Sequence, residues 1–292
     1  MCDQQQLDAM GSATAGLNRR QFGAMGAAGA AGAIAACAPM EAGTGGLVET
    51  NVTFPAPGGT MDGVFIHRAG TKSPAVILWP DIAGLRPAKV AMGRRLAEAG
   101  YAVLVANPYY RSVAGVQFED FDAFREANGF QAVGPWREKN TPEAVMESAR
   151  AIVGWLDAQD AVDTSRGIGN QGYCMTGSWT ILSAAAVPDR VKAAASFHGG
   201  GLVGDAPTSP VNLLDDMADD AAALIAIAKN DDANAPDDKT ALRTAADAAG
   251  LNAEIEVYQG DHGWTVLDSP VYLEAEAERA WANLLELYRT TL

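Results

Sequence analysis

Cys174 lies in GNQGYCMTGSW (Gly169 to Trp179), two residues after Gly172 and just ahead of a run of small residues. A thiol becomes a nucleophile once its proton can leave, which takes a nearby base that is itself oriented by a third group. Groups of those types stand far away along the chain: Asp81 in LWPDIAGLRP, Asp231 and Asp232 in IAKNDD, and His262 in VYQGDHGW. His198, in SFHGG, is a second candidate base, while His67 falls in an N-terminal stretch where a structural role is expected. Together such residues could attack a carbonyl covalently, with imidazole moving the proton and a carboxylate fixing the imidazole tautomer.

The elements that would position them are legible in the apolar pattern. VETNVTFPA and DGVFIHRAG, split by Pro and Gly, read as a hairpin. AVILW (Ala75 to Trp79) and YAVLVAN are short continuous apolar runs, as in strands covered on both faces. AKVAMGRRLAEAG has helical spacing, and Gly100 ends it. TPEAVMESARAIVGWLDAQ opens with a Thr cap and a proline at the first helical position. RGIGNQGY, KAAASFH, ALIAIA and AEIEVYQG read as further strands, and SWTILSAAAV, KTALRTAADAAG and YLEAEAERAWANLLELY as helices. This alternation predicts an α/β fold, a mostly parallel sheet with helices on both faces. Only Tyr109 to Asn140 lacks a period, and its Gly, Pro and aromatic residues suit a lid or substrate wall.

Ligands of such sheets sit at the carboxyl ends of strands, where Asp81, Cys174, Asp231 and His262 all fall. The order nucleophile, acid, histidine is that of the α/β-hydrolase triad. A nucleophile elbow needs a sharp strand-to-helix turn with small residues two places either side of the nucleophile. Gly172 meets the first requirement; Thr176 stands at the second, with Gly177 one place later. The turn alone therefore fits a buried structural cysteine equally well, and chain order and strand-end placement favour the nucleophile. The amides of the helix after Cys174 are expected to favour a thiolate. The N–H groups of Met175 and Ile82 are expected to hold an oxyanion. His198 precedes Asp231, the wrong order for the base, and is expected to line the pocket.

GYCMTG, DRVKAAASFHGG, IAKNDD and VYQGDHGW, with LWPDIAGLRP and ANPYYR, resemble the dienelactone hydrolase family from about Leu47 to the C-terminus. Members are α/β-hydrolases that cleave carboxylic esters and lactones through Cys, His and Asp. The resemblance implies hydrolysis of a small-molecule ester or lactone, carboxymethylenebutenolidase-like and without a cofactor, by Cys174, Asp231 and His262. The family's spacing from strand to acid points to Asp231 rather than Asp232. The resemblance also places Asp81 where the family usually carries a glutamate that holds and activates the thiol, and implies that Arg111 binds a substrate carboxylate. Tyr110 and Trp264, beside these positions, are expected at the substrate. Aspartate for glutamate at position 81 and Thr176 for glycine are departures from the family pattern, and they leave the native substrate open.

Ahead of this domain, NRRQF followed by GAMGAAGAAGAIAA resembles a bacterial twin-arginine export signal, too short and mildly apolar to span a membrane. IAAC, ending at Cys37, resembles a lipobox; cleavage after Ala38 is the alternative. Residues 1–46 are thus expected as signal and linker and 47–292 as one α/β-hydrolase domain, periplasmic or lipid-anchored through Cys37. Cys174 is then the only thiol of the folded domain, so it has no resolving partner for redox work. With 21 Lys and Arg against 36 Asp and Glu, the net charge of −15 argues against binding nucleic acid or an anionic membrane surface. Three scattered histidines without C-x-x-C offer no metal-ligand spacing. GGGLVGDAP lacks a dinucleotide-site context, and DDMADDAA and NDDANAPDD lack the calcium-loop spacing. A competing class is a non-catalytic envelope lipoprotein that binds a small molecule in the same pocket, because fold does not decide function.

Overall fold

The computed structural model describes residues 46–292; the twin-arginine segment, Cys37 and the linker up to Gly45 lie outside them. In chain order the elements are β1 (Leu47–Ala56), β2 (Gly59–Arg68), β3 (Ala75–Trp79), α1 (Pro87–Glu98), β4 (Ala102–Ala106), α2 (Phe121–Glu126), α3 (Gly129–Ala132), α4 (Gly134–Arg137) and α5 (Pro142–Asp157). There follow β5 (Ile168–Tyr173), a 3-10 turn (Cys174–Thr176), α6 (Trp179–Ala186), β6 (Val191–Phe197), a second 3-10 stretch (Pro210–Asp216), β7 (Ala222–Ala228), α7 (Lys229–Asn234), α8 (Asp238–Ala249), β8 (Asn252–Tyr258) and α9 (Glu274–Thr291).

One eight-stranded sheet runs β1-β2-β4-β3-β5-β6-β7-β8. β1 pairs with β2, and β2 with β4, antiparallel; the remaining pairs are parallel. Both helical layers follow from the strand period of two. Ala75, Ile77 and Trp79 join one apolar layer with Ile152 and Leu156 of α5, Ile181 of α6 and Leu242 of α8. Val76 and Leu78 point the other way, to Val90 and Leu96 of α1 and Leu284 and Tyr288 of α9. Strands covered on both faces must be apolar at every position, which is why β3 and β4 are buried throughout.

The end signals act as expected. Thr141 caps α5, its hydroxyl accepting the Ala144 amide at 3.3 Å, and Gly100 follows α1 with φ +106. The structure differs in two places. Tyr109 to Asn140 is not one loop but carries α2, α3 and α4, of 6, 4 and 4 residues, too short to print a helical period. Regular helix after the cysteine begins only at Trp179, beyond the 3-10 turn.

Candidate active site

Cys174 follows a fully buried β5 with φ +55, the left-handed region that side chains rarely occupy. The chain folds back so tightly that a Cβ on Gly172 would sit 2.1 Å from the Thr176 carbonyl oxygen. Thr176, fully buried, is a working part of this turn. Its hydroxyl accepts the Tyr173 amide at 2.9 Å and has the Trp79 carbonyl 2.9 Å away to donate to. Beyond the turn, Gly177 packs on Gly199, where an added Cβ would meet the Gly199 Cα at 2.3 Å. The Cys174 carbonyl accepts from the Gly177 and Gly200 amides at 3.1 and 3.0 Å, which joins the elbow to the segment leaving β6.

β7 and β8 are neighbours, so residues just past their ends meet. His262 Nδ1 lies 2.7 Å from Asp231 Oδ2, and the His262 amide donates to Asn230 Oδ1 at 2.8 Å. Asp232 turns the other way, to Lys239. The His262 ring meets His198 edge to face, with centroids 4.9 Å apart. His198 ends β6 with φ +40, is 1 % exposed, and pairs its Nε2 with Thr265 Oγ1 at 3.0 Å. Burial first, and then the neighbouring His262 and Lys89, hold its pKa well below 6.5. The Cys174 carbonyl is thus bonded to the segment that carries His198, whose ring meets His262.

Met175 is the second residue of the 3-10 turn, where an amide has no carbonyl within the turn to bind. Ile82 is buried in the loop after β3. Tyr109 links the two: its hydroxyl donates to the Ile82 carbonyl at 2.7 Å and stands 3.6 Å from Met175 Sδ. An apolar cluster joins Cys174 with Ile82, Ala83, Tyr109, Phe121, Phe124 and Val133, and Phe118, Phe130 and Trp136 pack outside it. The helices α2, α3 and α4 thus form an aromatic roof over the thiol side of the rim.

Several expected site residues are placed elsewhere. Asp81 is 3 % exposed and its carboxylate is taken by cations. Arg86 binds it through both guanidinium NH groups at 2.7 and 2.9 Å, and Lys89 Nζ is 2.9 Å from Oδ2. Burial alone would raise its pKa, but Arg86 and Lys89 hold it well below the usual carboxylate range. Asp81 also accepts the Ala83 amide at 2.9 Å, so it braces the Ile82 loop. Tyr110 turns away from Tyr109, its hydroxyl donating to the Pro57 carbonyl at 2.7 Å. Arg111 lies on the same hairpin turn, with Nε 2.9 Å from where a Gly58 Cβ would be and an NH2 donated to the Ala144 carbonyl. Trp264 is fully buried, stacked on Tyr258 at 5.2 Å and against His198 at 5.1 Å, so it supports the histidines from behind. His198, expected to line the pocket, is buried with its ring against that of His262. Tyr109, Arg86, Lys89 and Asp268 escaped the reading of the sequence: no period marks an inward face around Tyr109 and Asp268, and charge conceals the burial of Arg86 and Lys89.

A sequence model of the Dienelactone hydrolase family matches residues 61–292. Over 252 residues the chain is 28% identical to a candidate carboxymethylenebutenolidase of Salmonella typhi, spanning 83% of this chain and 88% of that one. A protein of the same name from Methylorubrum extorquens is 28% identical over 250 residues, 84% of this chain and 81% of its own. Among solved structures, a candidate dienelactone hydrolase from Klebsiella pneumoniae superposes with a TM-score of 0.69 at 25% identity, over 83% of this chain and 98% of that one.

Proposed function

The chain belongs to the dienelactone hydrolase family, and from that membership we propose that it cleaves esters or lactones through an acyl intermediate on Cys174. Its fold is that of the α/β-hydrolases, and the family and its named relatives make it a hydrolase of ester or lactone bonds. In the proposed reaction His262 takes the thiol proton as Sγ attacks the carbonyl carbon, and Asp231 steadies the imidazolium through Nδ1–H. The amides of Met175 and Ile82 receive the oxyanion. As the C–O bond breaks, His262 returns the proton to the leaving alcohol; it then takes a proton from water as the water oxygen bonds to the acyl carbon, and gives that proton to Sγ as the C–S bond breaks, releasing the acid and restoring the thiol.

The observation that carries this reading is the 2.7 Å bond from His262 to Asp231, set beside an elbow that holds Cys174 at φ +55. Rapid-quench mass spectrometry with p-nitrophenyl acetate tests it. One acetyl group is expected on the peptide containing Cys174, with a burst of nitrophenolate equivalent to enzyme. C174A is expected to lose turnover while keeping cooperative unfolding; full turnover in C174A would falsify the nucleophile assignment. Export through the twin-arginine segment, with cleavage at Cys37 and lipidation there, belongs to the same proposal and rests on residues 18–37 alone. Intact mass of protein taken from its host checks it, and a retained Arg19 and Arg20 would sink it.

A further inference from the structure

Resting on the hydrolase reading, we infer that Tyr109 is a positioning residue for the oxyanion: its one hydroxyl, between Ile82 and Met175, sets where the two receiving amides stand. That hydroxyl donates to the Ile82 carbonyl at 2.7 Å and has Met175 Sδ 3.6 Å away. Tyr109 is fully buried, so bulk water does not compete for either contact.

The Ile82 side is a β-turn from Asp81 to Gly84, closed by the Gly84 amide donating to the Asp81 carbonyl at 2.9 Å. Ile82 is the second residue of that turn, and its N–H lies outside the turn's own bond. The peptide that follows is held at both ends, its carbonyl by Tyr109 and its Ala83 amide by Asp81 Oδ1 at 2.9 Å. Because a peptide is planar, holding it fixes ψ of Ile82, and with it the turn that aims the Ile82 N–H. Tyr109 can serve as the reference because its own backbone is tied on both sides. Its amide donates to Asn107 Oδ1 at 2.8 Å, and its carbonyl accepts the Ser112 and Val113 amides at 2.7 and 2.9 Å. Trp136 of α4 packs on the ring, with centroids 5.4 Å apart. Misplacing a reacting group by about 1 Å forfeits on the order of 10²-fold in rate, so a hydroxyl that spans both donors acts on turnover more than on binding.

Y109F removes the hydroxyl and keeps the ring. With p-nitrophenyl acetate its kcat is expected to fall about 10–100-fold while KM stays within about threefold, because the loss is felt only as the oxyanion forms. Trifluoroacetophenone gives a readout without turnover: Sγ bonds to its carbonyl carbon and the π pair moves to oxygen, leaving an anion for the two amides. Its inhibition constant should weaken by a similar factor in Y109F. Iodoacetamide loses iodide to the same sulfur and creates no oxyanion, so it should alkylate Cys174 of Y109F at the parental rate. A kcat and a ketone affinity both within about threefold of the parent overturn the inference, and so does a matching fall in alkylation, which marks a general loosening of the site. Should Y109F lose cooperative unfolding, M175L decides, since it removes the sulfur and keeps the hydroxyl. Ketone binding weakened at unchanged alkylation then supports the bridge, and unchanged binding overturns it. A parent that neither turns over esters nor binds the ketone refutes the hydrolase reading and this inference with it. A parent that does both, with Y109F equal to it, removes the inference alone.

Discussion

Replacing Asp231 with asparagine keeps an oxygen in place to accept from His262 Nδ1 but removes the charge that steadies an imidazolium. D231N is therefore expected to lose about 10³–10⁴ in kcat while its unfolding free energy moves little, measured by ester turnover and urea titration. His198 carries a separate signature. Its folded pKa lies well below 6.5, so as pH falls through 6.5 the unfolded chain gains a proton that the folded chain refuses. Stability from this residue is complete above that pH and drains below it, by at most about 1.4 kcal/mol per pH unit until the folded pKa is reached. H198N tolerates the φ of +40 and does not titrate, so its stability should fall less steeply between pH 7 and pH 5 than that of the parent. Arg111 sits outside the proposed chemistry: R111A should lower stability by about 1 kcal/mol through its lost carbonyl bond, yet leave kcat/KM for p-nitrophenyl acetate within about twofold.

The elbow shows how an element imposes residue types. With 2.1 Å between a Gly172 Cβ and the Thr176 oxygen, G172A must open the turn; loss of about 3 kcal/mol or more and of activity is expected. T176V removes a hydroxyl that serves the Tyr173 amide and the Trp79 carbonyl, and should cost about 1–3 kcal/mol in denaturant titration. Thr176 was a departure from the pattern when read as a small residue, and becomes intelligible once its hydroxyl is seen closing the turn. Elsewhere legibility followed periodicity. β3 and β4 could be read because strands covered on both faces are apolar at every position, and α5 because Thr-Pro opens it. Tyr109 and Tyr110 could not be told apart, because their segment is neither strand nor long helix and has no repeat to say which ring faces the thiol. The roof helices failed for the same reason. Arg86 and Lys89 were hidden by their charge, since nothing short of their paired carboxylates marks such side chains as buried.

At the scale of the whole molecule, one buried ion cluster ties together three loops that come from distant parts of the chain. Asp81 belongs to the loop that carries Ile82. Asp268 belongs to the segment after His262 and binds Arg86 at 2.7 and 2.8 Å, while its Oδ2 also accepts the Phe121 amide of the roof at 3.0 Å. At neutral pH two carboxylates face two cations. Burial lowers the Lys89 pKa to about 8, against the pull of Asp81, so Lys89 is the member of the cluster able to shed charge in the mild alkaline range. D268N would leave one carboxylate with two cations at pH 7, and breaking a buried pair in this way costs about 3–5 kcal/mol. Its neutral oxygen would also serve Arg86 and the roof amide less well, so KM for apolar esters should rise with kcat less affected. At pH 9 Lys89 is neutral in the folded state but still protonated when unfolded. In D268N its folded pKa should fall further below 8, because one attracting carboxylate is gone. The gap in unfolding free energy between parent and D268N should therefore narrow from pH 7 to pH 9, and K89M/D268N should abolish that narrowing. A gap that stays constant across this range in urea titrations would mean that Lys89 does not share charge with Asp268, and that the roof is held by packing rather than by the cluster.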